Sequence, residues 1–424
     1  MTRPEKQKNL LSLKEWAITI ILALSLSLFL PNISFSGGPI HGARATGMGT
    51  AFVAIADDPS AITHNPAGLT QLKGTNIYSG VTAVITSTDY ESPTGGSEDT
   101  EFQVFFPPHL YISSDLNTQN MAVGLGVYSP FGIGGRKWNE NGPTRYISTE
   151  YTIATFNINP TFAWQITPGI SVGFGVFYLY AFNTAERMID QSSLGARDGK
   201  SSIDADGDGW GYNFGIIVTP FQKLSLGFAF RSGVKVDQSG DIELKNIAPA
   251  LQAIFGGSQF KTNVHTTLDF PDVVSLGLAY RPTEKLTLGL DFEWVGWSSF
   301  DEQNLDFENE VPGGGFSDAS TLLDWKDIWS IKAGGEYWMT DSFALRAGYV
   351  YVDTIVPGHT LSPVHPDSVQ HNFSIGCGYK IKQWILDAFY NAGFYEDRKV
   401  NNPILSGSYE NFTHYFGLSI GYRF

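Results

Sequence analysis

The chain has 424 residues, 42% of them hydrophobic, 14% aromatic and only 16% charged, with 46 glycines and a formal charge of -15. This composition excludes a disordered chain, which would be poor in apolar and aromatic residues, and the one cysteine excludes an internal disulfide framework. The acidic balance argues against a nucleic-acid partner, which calls for a basic surface.

Arg3, Lys6, Lys8 and Lys14 precede an uncharged apolar run from Ala17 to Leu30, and Ser34-Phe35-Ser36 then places small residues at a cleavage site. Residues 1–36 therefore read as a secretory signal peptide, with a mature chain beginning at Gly37. The run is shorter than the roughly 20 residues a membrane anchor needs. Four basic and two acidic side chains leave with it, so 388 mature residues carry 23 Lys+Arg against 40 Asp+Glu, or -17.

From Gly37 to Gly74 nothing alternates. Asp58 followed by Pro59 is a good helix start, and the segment reads as short helices and turns too small to fold alone. Beyond it, strict alternation takes over. Phe156, Ile158, Phe162, Trp164 and Ile166 share one face against Asn157, Asn159, Thr161 and Ala163, and Leu288, Leu290, Phe292 and Trp294 oppose Gly289, Asp291 and Glu293. About fourteen such stretches begin near Ile77, Leu110, Met121, Thr152, Ile170, Trp210, Leu224, Val274, Leu286, Trp329, Phe343, Phe373, Trp384 and Phe416. Short turns such as Thr167-Pro168-Gly169 and Arg281-Pro282-Thr283 separate them on one side, and long polar loops, read at 184–209 and 235–268, on the other.

That asymmetry, with Tyr and Trp at strand ends, describes an all-β fold: a transmembrane antiparallel β-barrel of about 14 strands over 75–424, greasy face to lipid and small or polar face to the lumen. Residues 37–74 then form an N-terminal helical hatch inside it, because a barrel of that size otherwise leaves open space. The expected place is the outer membrane of a Gram-negative bacterium, surrounded by lipid and lipopolysaccharide, as a monomer. The last strand ends on Phe424, resembling the signal read by the barrel assembly machinery. Gly417-Leu418-Ser419-Ile420-Gly421 matches a nucleophile elbow, but that motif needs a strand-to-helix turn and here the strand simply runs on to the end.

Three further segments stand out. Met121, Val123, Leu125 and Val127 set up the third strand, which Ser129-Pro130-Phe131-Gly132 interrupts; proline removes a ladder donor and glycine weakens pairing. The segment is either an inward kink or the end of the strand. Ile247, Leu251, Ile254 and Phe255 fall at helical spacing, as a capture groove for apolar ligands or as loop packing. Asp204, Asp206 and Asp208 alternate as in a calcium loop, but Gly215 stands where the twelfth-position carboxylate belongs, and an acidic turn is the preferred reading. No metal, cofactor or nucleophile–base pair is nominated, and Cys377 is expected to face lipid.

Gly42-Ala43-Arg44-Ala45-Thr46-Gly47-Met48-Gly49, Ala56-Asp57-Asp58-Pro59-Ser60-Ala61 and Asn65-Pro66-Ala67-Gly68-Leu69 resemble the N-terminal signature of the FadL family of outer-membrane transporters for long-chain fatty acids and other hydrophobic compounds. Tyr128-Ser129-Pro130-Phe131-Gly132, Asn157-Ile158-Asn159-Pro160 and Leu345-Arg346-Ala347-Gly348-Tyr349 extend the likeness across the chain. The resemblance implies a hatch, a hydrophobic pocket in the lumen, and passive uptake with lateral release through a wall gap at the kinked third strand. It points to Arg187 as a contact for an acidic head group. Lys332, Arg231 and Arg346 also lie on expected inward faces, where pairing with carboxylates to brace the barrel is the competing role. Asn65, Pro66 and Ala67 are expected to hold the hatch against the segment Ser129, Pro130, Phe131, Gly132, with the Asn65 amide bridging to backbone left unpaired near Pro130. The alternatives are a general porin and an outer-membrane lipid-hydrolysing enzyme, for which His359, His365 or His371 would serve as base.

Overall fold

A computed structural model describes residues 41–311 and 315–424; the signal-peptide reading of 1–36 and the first residues of the hatch lie outside the described residues. Fourteen barrel strands follow in order: β1 Thr75–Glu91, β2 Pro108–Ser114, β3 Met121–Tyr128 continuing as Ile133–Lys137, β4 Glu150–Thr167, β5 Ile170–Ile189, β6 Gly199–Phe221, and β7 Leu224–Arg231 continuing as Val234–Lys245. The rest are β8 Gln259–Phe270 continuing as Val273–Thr283, β9 Leu286–Val295, β10 Ile328–Trp338, β11 Phe343–Val352, β12 Gln370–Ile381, β13 Trp384–Tyr395 and β14 Gly407–Arg423. Each pairs antiparallel with its neighbours, and β14 closes on β1 from Asn76↔Arg423 to Glu91↔Ser408.

Closure joins the first and last strands and so removes the two outer edges of the membrane sheet, as a bilayer demands. The lipid phase is the one alternation predicts: Ile158, Phe162, Leu290 and Leu418 are exposed, while Asn157, Asn159, Asp291 and Ser419 are buried inside. Connections at one end are as short as 168–169, 222–223 and 382–383, and those at the other reach 296–327 and 353–369, which orients the short turns to the periplasm.

Two expected loops are strand instead. β5 to β8 run on through most of 184–209 and 235–268, leaving only 190–198 and 246–258 as connections. Above the bilayer the hydrophobic face changes sides. On β6, Trp210 and Tyr212 face lipid, but farther up Asp204, Asp206 and Asp208 point outward while Ile203 and Ala205 are buried within. Outward carboxylates mimic a loop when only the outer phase is read. The acidic run is therefore neither a calcium loop nor a turn: Asp204 accepts from Thr184 Oγ1 at 2.6 Å and Asp206 from the Tyr180 hydroxyl at 3.0 Å across the ladder. Among the described residues no metal-ligating cluster occurs.

The hatch comprises α1 Ala43–Gly47, α2 Ala61–His64 and a 3-10 turn Pro66–Gln71, threaded through the lumen. Its fit depends on glycine. β5 to β12 each present one inward glycine to it: Gly173, Gly215, Gly227, Gly277, Gly289, Gly334, Gly348 and Gly376. A Cβ on Gly334 would collide with the Met48 carbonyl, and one on Gly289 with that of Ala51. Register aligns these positions, since Gly289, Gly334 and Gly348 pair in one row across three strands.

Candidate functional site

Above the hatch the lumen is lined by aromatic side chains. Phe131 stacks on Phe270 across it at 4.2 Å between ring centroids and meets Trp297 edge-on at 6.3 Å. Trp325 packs on Trp297 at 5.4 Å and on Phe300 at 4.9 Å. The loop 353–369 adds Ile355, Val356, Leu361 and Val364 to the same apolar cluster. Of the predicted capture stripe, Ile247, Leu251 and Phe255 are buried in that cluster, and only Ile254 points outward at 44% exposure. The short helix α3 Gln252–Phe255 thus mainly packs on the rim, with Phe255 against Phe260 and Phe316.

Beneath the aromatic layer the surroundings become polar. His41, Thr50, His64, Arg231, Glu293 and Lys332 enclose a cavity of about 40 Å3 between hatch and wall. Lys332, expected as a substrate contact, is ion-paired to Glu293 at 2.8 Å, and Arg231 donates to the Thr63 carbonyl of the hatch at 2.8 Å. Arg346 binds Glu336 and Asp387, both at 2.7 Å, while Arg44 of the hatch reaches Glu336 at 3.0 Å. Asp291 of β9 accepts the hatch amides of Phe52 at 2.7 Å and Val53 at 2.9 Å. Burial pushes the Asp58 carboxyl up to about 6, against the pull of Arg44 at 3.6 Å. These charges tie the hatch to the wall. Below it a cavity of about 1010 Å3, lined by Asp57, Lys223, Arg281 and Lys380 among others, opens to the periplasmic end.

The third strand pairs with β4 up to Tyr128↔Asn157 and again from Ile133↔Ala154. Ser129, Pro130, Phe131 and Gly132 between them are buried, with Gly132 at φ 86 in the left-handed region. On the other side β3 pairs with β2 only as far as His109↔Tyr128. Above that, before β2 begins at Pro108, the chain runs irregularly through Phe105-Phe106-Pro107, and the next backbone bond between the two strands is Glu101 N–H to the Lys137 carbonyl at 2.8 Å. The proline pair is the half of this wall that strand-by-strand reading misses, because Pro107 and Pro108 follow two phenylalanines that look like ordinary strand.

Asn65 does not serve this segment. Its amide donates to the carbonyls of Val53 at 2.8 Å, Ile216 of β6 at 3.0 Å and Phe228 of β7 at 3.3 Å, and its oxygen accepts from Ala67 N–H. Pro66 and Ala67 press on Gly173 of β5. The freed backbone near Pro130 is met by Thr155 of β4, whose hydroxyl accepts from Phe131 N–H at 3.2 Å and whose N–H donates to the Gly132 carbonyl at 3.1 Å. Gly215 of β6 makes room for the Asn65 side chain itself, and Gly227 of β7 for the hatch backbone at Val53 and Ala54. Arg187 sits on β5, buried at 1% exposure.

The histidines proposed for a hydrolase are engaged elsewhere: His359 with Asp324, His371 with the Tyr349 hydroxyl, and His365 packed on Trp325. Burial holds His365 well below the ordinary imidazole range. Two serine–histidine contacts do occur: Ser239 Oγ to His265 Nδ1 at 3.0 Å on the exposed outer face of β7 and β8, and Ser419 Oγ to His109 Nε2 at 2.9 Å, buried against the hatch, where Ser419 Oγ also accepts from Ala43 N–H at 3.0 Å.

Comparison with known proteins agrees with the barrel. The sequence profile "Outer membrane protein transport protein (OMPP1/FadL/TodX)" matches residues 33–424. A long-chain fatty acid transport protein of Escherichia coli is 24% identical, over 85% of this chain and 87% of that protein, and outer membrane protein P1 of Haemophilus influenzae is 23% identical, over 79% and 80%. Among solved structures, a Pseudomonas aeruginosa FadL homologue superposes with a TM-score of 0.79 at 20% identity, covering 94% of this chain and all of that one. The P. putida toluene transporter TodX gives 0.74 at 17%, covering 90% and 98%. These relatives are outer-membrane and transport proteins, not enzymes, and the hydrolase reading falls with them. With a closed barrel, an internal hatch and a profile match over nearly its whole length, the chain belongs to the OMPP1/FadL/TodX family of outer membrane transport proteins.

Proposed function

We propose that this barrel carries long-chain fatty acids or similar hydrophobic compounds inward without coupled energy, holding them in the aromatic upper lumen and releasing them sideways into the outer leaflet. One observation carries the reading: the hatch closes the axis by close packing on glycines of eight strands, while directly above it the wall between β2 and β3 lacks a continuous ladder. An apolar solute would then pass from one greasy environment to another without crossing water, driven by its gradient and by the hydrophobic effect. Irregular backbone at membrane depth is tolerated where it lines a cavity or meets protein, which suits a passage at Ser129, Pro130, Phe131 and Gly132. Phe131, stacked on Phe270, would mark its inner edge, and the exposed Phe102 and Phe106 its outer one. A general porin is a poorer fit, since ions and sugars would meet both an apolar layer and a packed hatch.

The register supplies the test. Four residues of β3, 129–132, stand opposite two of β4, so deleting two of them allows the ladder to run on unbroken. In proteoliposomes the deletion variant should keep its barrel but lose uptake of a long-chain acid. Undiminished uptake would mean that cargo leaves through the periplasmic end.

A further inference from the structure

We infer that the vestibule below the hatch is a docking site for an acidic segment of a periplasmic protein, whichever route the cargo takes out of the lumen. The chain is acidic, with a formal charge of -15, yet its periplasmic mouth gathers cations. Lys73 before β1, Lys223 in the β6–β7 turn, Lys380 at the end of β12, Lys382 in the turn after it and Arg423 at the end of β14 all line the cavity. None of the five forms an ion pair among the described residues. Lys73 and Lys223 donate to neutral carbonyls, those of Gln119 at 3.2 Å and Pro282 at 2.9 Å, and the Lys380 ammonium lies over the Trp338 ring at 3.8 Å from its centroid. Lysines toward the extracellular end are met differently: Lys137, Lys200, Lys235, Lys245 and Lys261 each hold a carboxylate.

The acids of the vestibule do not answer these cations. Glu336 and Asp387 are held by Arg346, and Asp57 and Asp58 lie against Arg44 in the roof. Arg281 reaches Asp57 at 3.9 Å, and Glu284 is the one described lining acid outside this network. A positive rim on low-dielectric walls concentrates anions at its mouth. Its layout selects among them. Neighbouring strands are paired down to their turns here, at Asn76↔Arg423, Phe221↔Leu224 and Ile381↔Trp384, so a head group anchored in the bilayer has no way in through the wall. A single small anion bonds only adjacent cations, whereas these five are spread over the ends of β1, β6, β12 and β14. Carboxylates spaced along an extended chain reach several at once. The volume of about 1010 Å3 matches the upper end of pockets for small molecules, roughly 300 to 1,000 Å3, and admits a peptide segment; Leu72, Ile77 and Trp338 offer its apolar side chains a surface.

The experiment titrates the full barrel, in nanodiscs of neutral phosphatidylcholine, with a dye-labelled peptide of about twelve residues alternating glutamate and alanine, and with its glutamine counterpart, at a low salt of about 50 mM. Wild type should bind the glutamate peptide at least about tenfold more tightly than the glutamine one, and most of that difference should vanish at about 500 mM salt. Lys223→Gln combined with Lys382→Gln should weaken the glutamate peptide by about tenfold, as exposed charge pairs allow. Lys285→Gln removes an exposed turn cation that does not line the cavity and should stay within about twofold. Equal binding of the two peptides by wild type would overturn the inference, and that comparison does not depend on any variant folding. An equal loss in Lys285→Gln would also overturn it, leaving only the general charge of that end. Displacement of the peptide by an equal concentration of inorganic phosphate would make the vestibule a small-anion site, and capture of phosphatidylglycerol vesicles without peptide binding would make it a lipid contact; either result refutes the assignment to a protein partner.

Discussion

The glycine row makes a quantitative demand. A Cβ at Gly334 would overlap the Met48 carbonyl oxygen and come within 2.5 Å of the Met48 carbonyl carbon; at Gly348 it would overlap Gly49 N and stand 2.5 Å from Gly49 Cα. Carbon contacts need about 3.5 to 4.0 Å, so alanine at either site requires a shift of about 1 Å, and every atom in the way is backbone that cannot rotate aside. Overpacking of this kind costs about 1 to 3 kcal/mol, and the rigid neighbours place it at the upper end, near 3 kcal/mol or about 150-fold in hatch docking. Because both sites press on Met48 and Gly49, the double variant should cost less than the sum. Hydrogen exchange of the Phe52 and Val53 amides reads the docking directly, and ion conductance in planar bilayers reads the opening that follows. Gly335→Ala is the control: its Cβ would meet Leu288 Cδ2 at 3.0 Å and the Thr287 carbonyl at 3.2 Å, and the first of these is a mobile side-chain tip. It should stay within about 0.5 kcal/mol. Unchanged exchange in Gly334→Ala would show that the hatch is not held by this packing.

Asp291→Leu should free the same amides, costing about 1.5 to 3 kcal/mol for each charged hydrogen bond lost; wild-type protection in that variant would remove Asp291 from the clamp. Lys332→Met leaves Glu293 buried without its partner and should destabilise the barrel by about 3 to 5 kcal/mol, largely recovered by adding Glu293→Met; if instead acid binding is lost while stability is kept, Lys332 contacts cargo. Asp58 titrates near 6 in the folded hatch against an ordinary 3.8, so the folded state holds the proton more tightly and docking should weaken as pH rises between those values, by about 3 kcal/mol at most. Exchange measured at pH 4 and pH 7 should show that loss in wild type and not in Asp58→Asn, and equal slopes in the two would place the titration elsewhere.

Strand number, the lipid-facing phase and the periplasmic turns were legible in the sequence, because each rests on neighbours within one strand. Phe156, Ile158, Phe162 and Trp164 declare their face by alternation alone, and Pro168-Gly169 declares its turn. The same logic misread 184–209 and 235–268, where the apolar face passes from outside to inside at the bilayer edge and Asp204 to Asp208 hide a strand whose inner residues, Ile203 and Ala205, still pack. Inward charges were legible as inward but not as partners. Arg44 meets Glu336 at a separation of 292 residues, and Tyr78 meets Asp387 at 309. Such pairs exist only once fourteen strands close in one register, and so does the row of glycines that admits the hatch. Which cations that closure neutralises, as it does Lys332 and Arg346, depends on distances between strands far apart in the chain, and alternation within a strand carries no information about them.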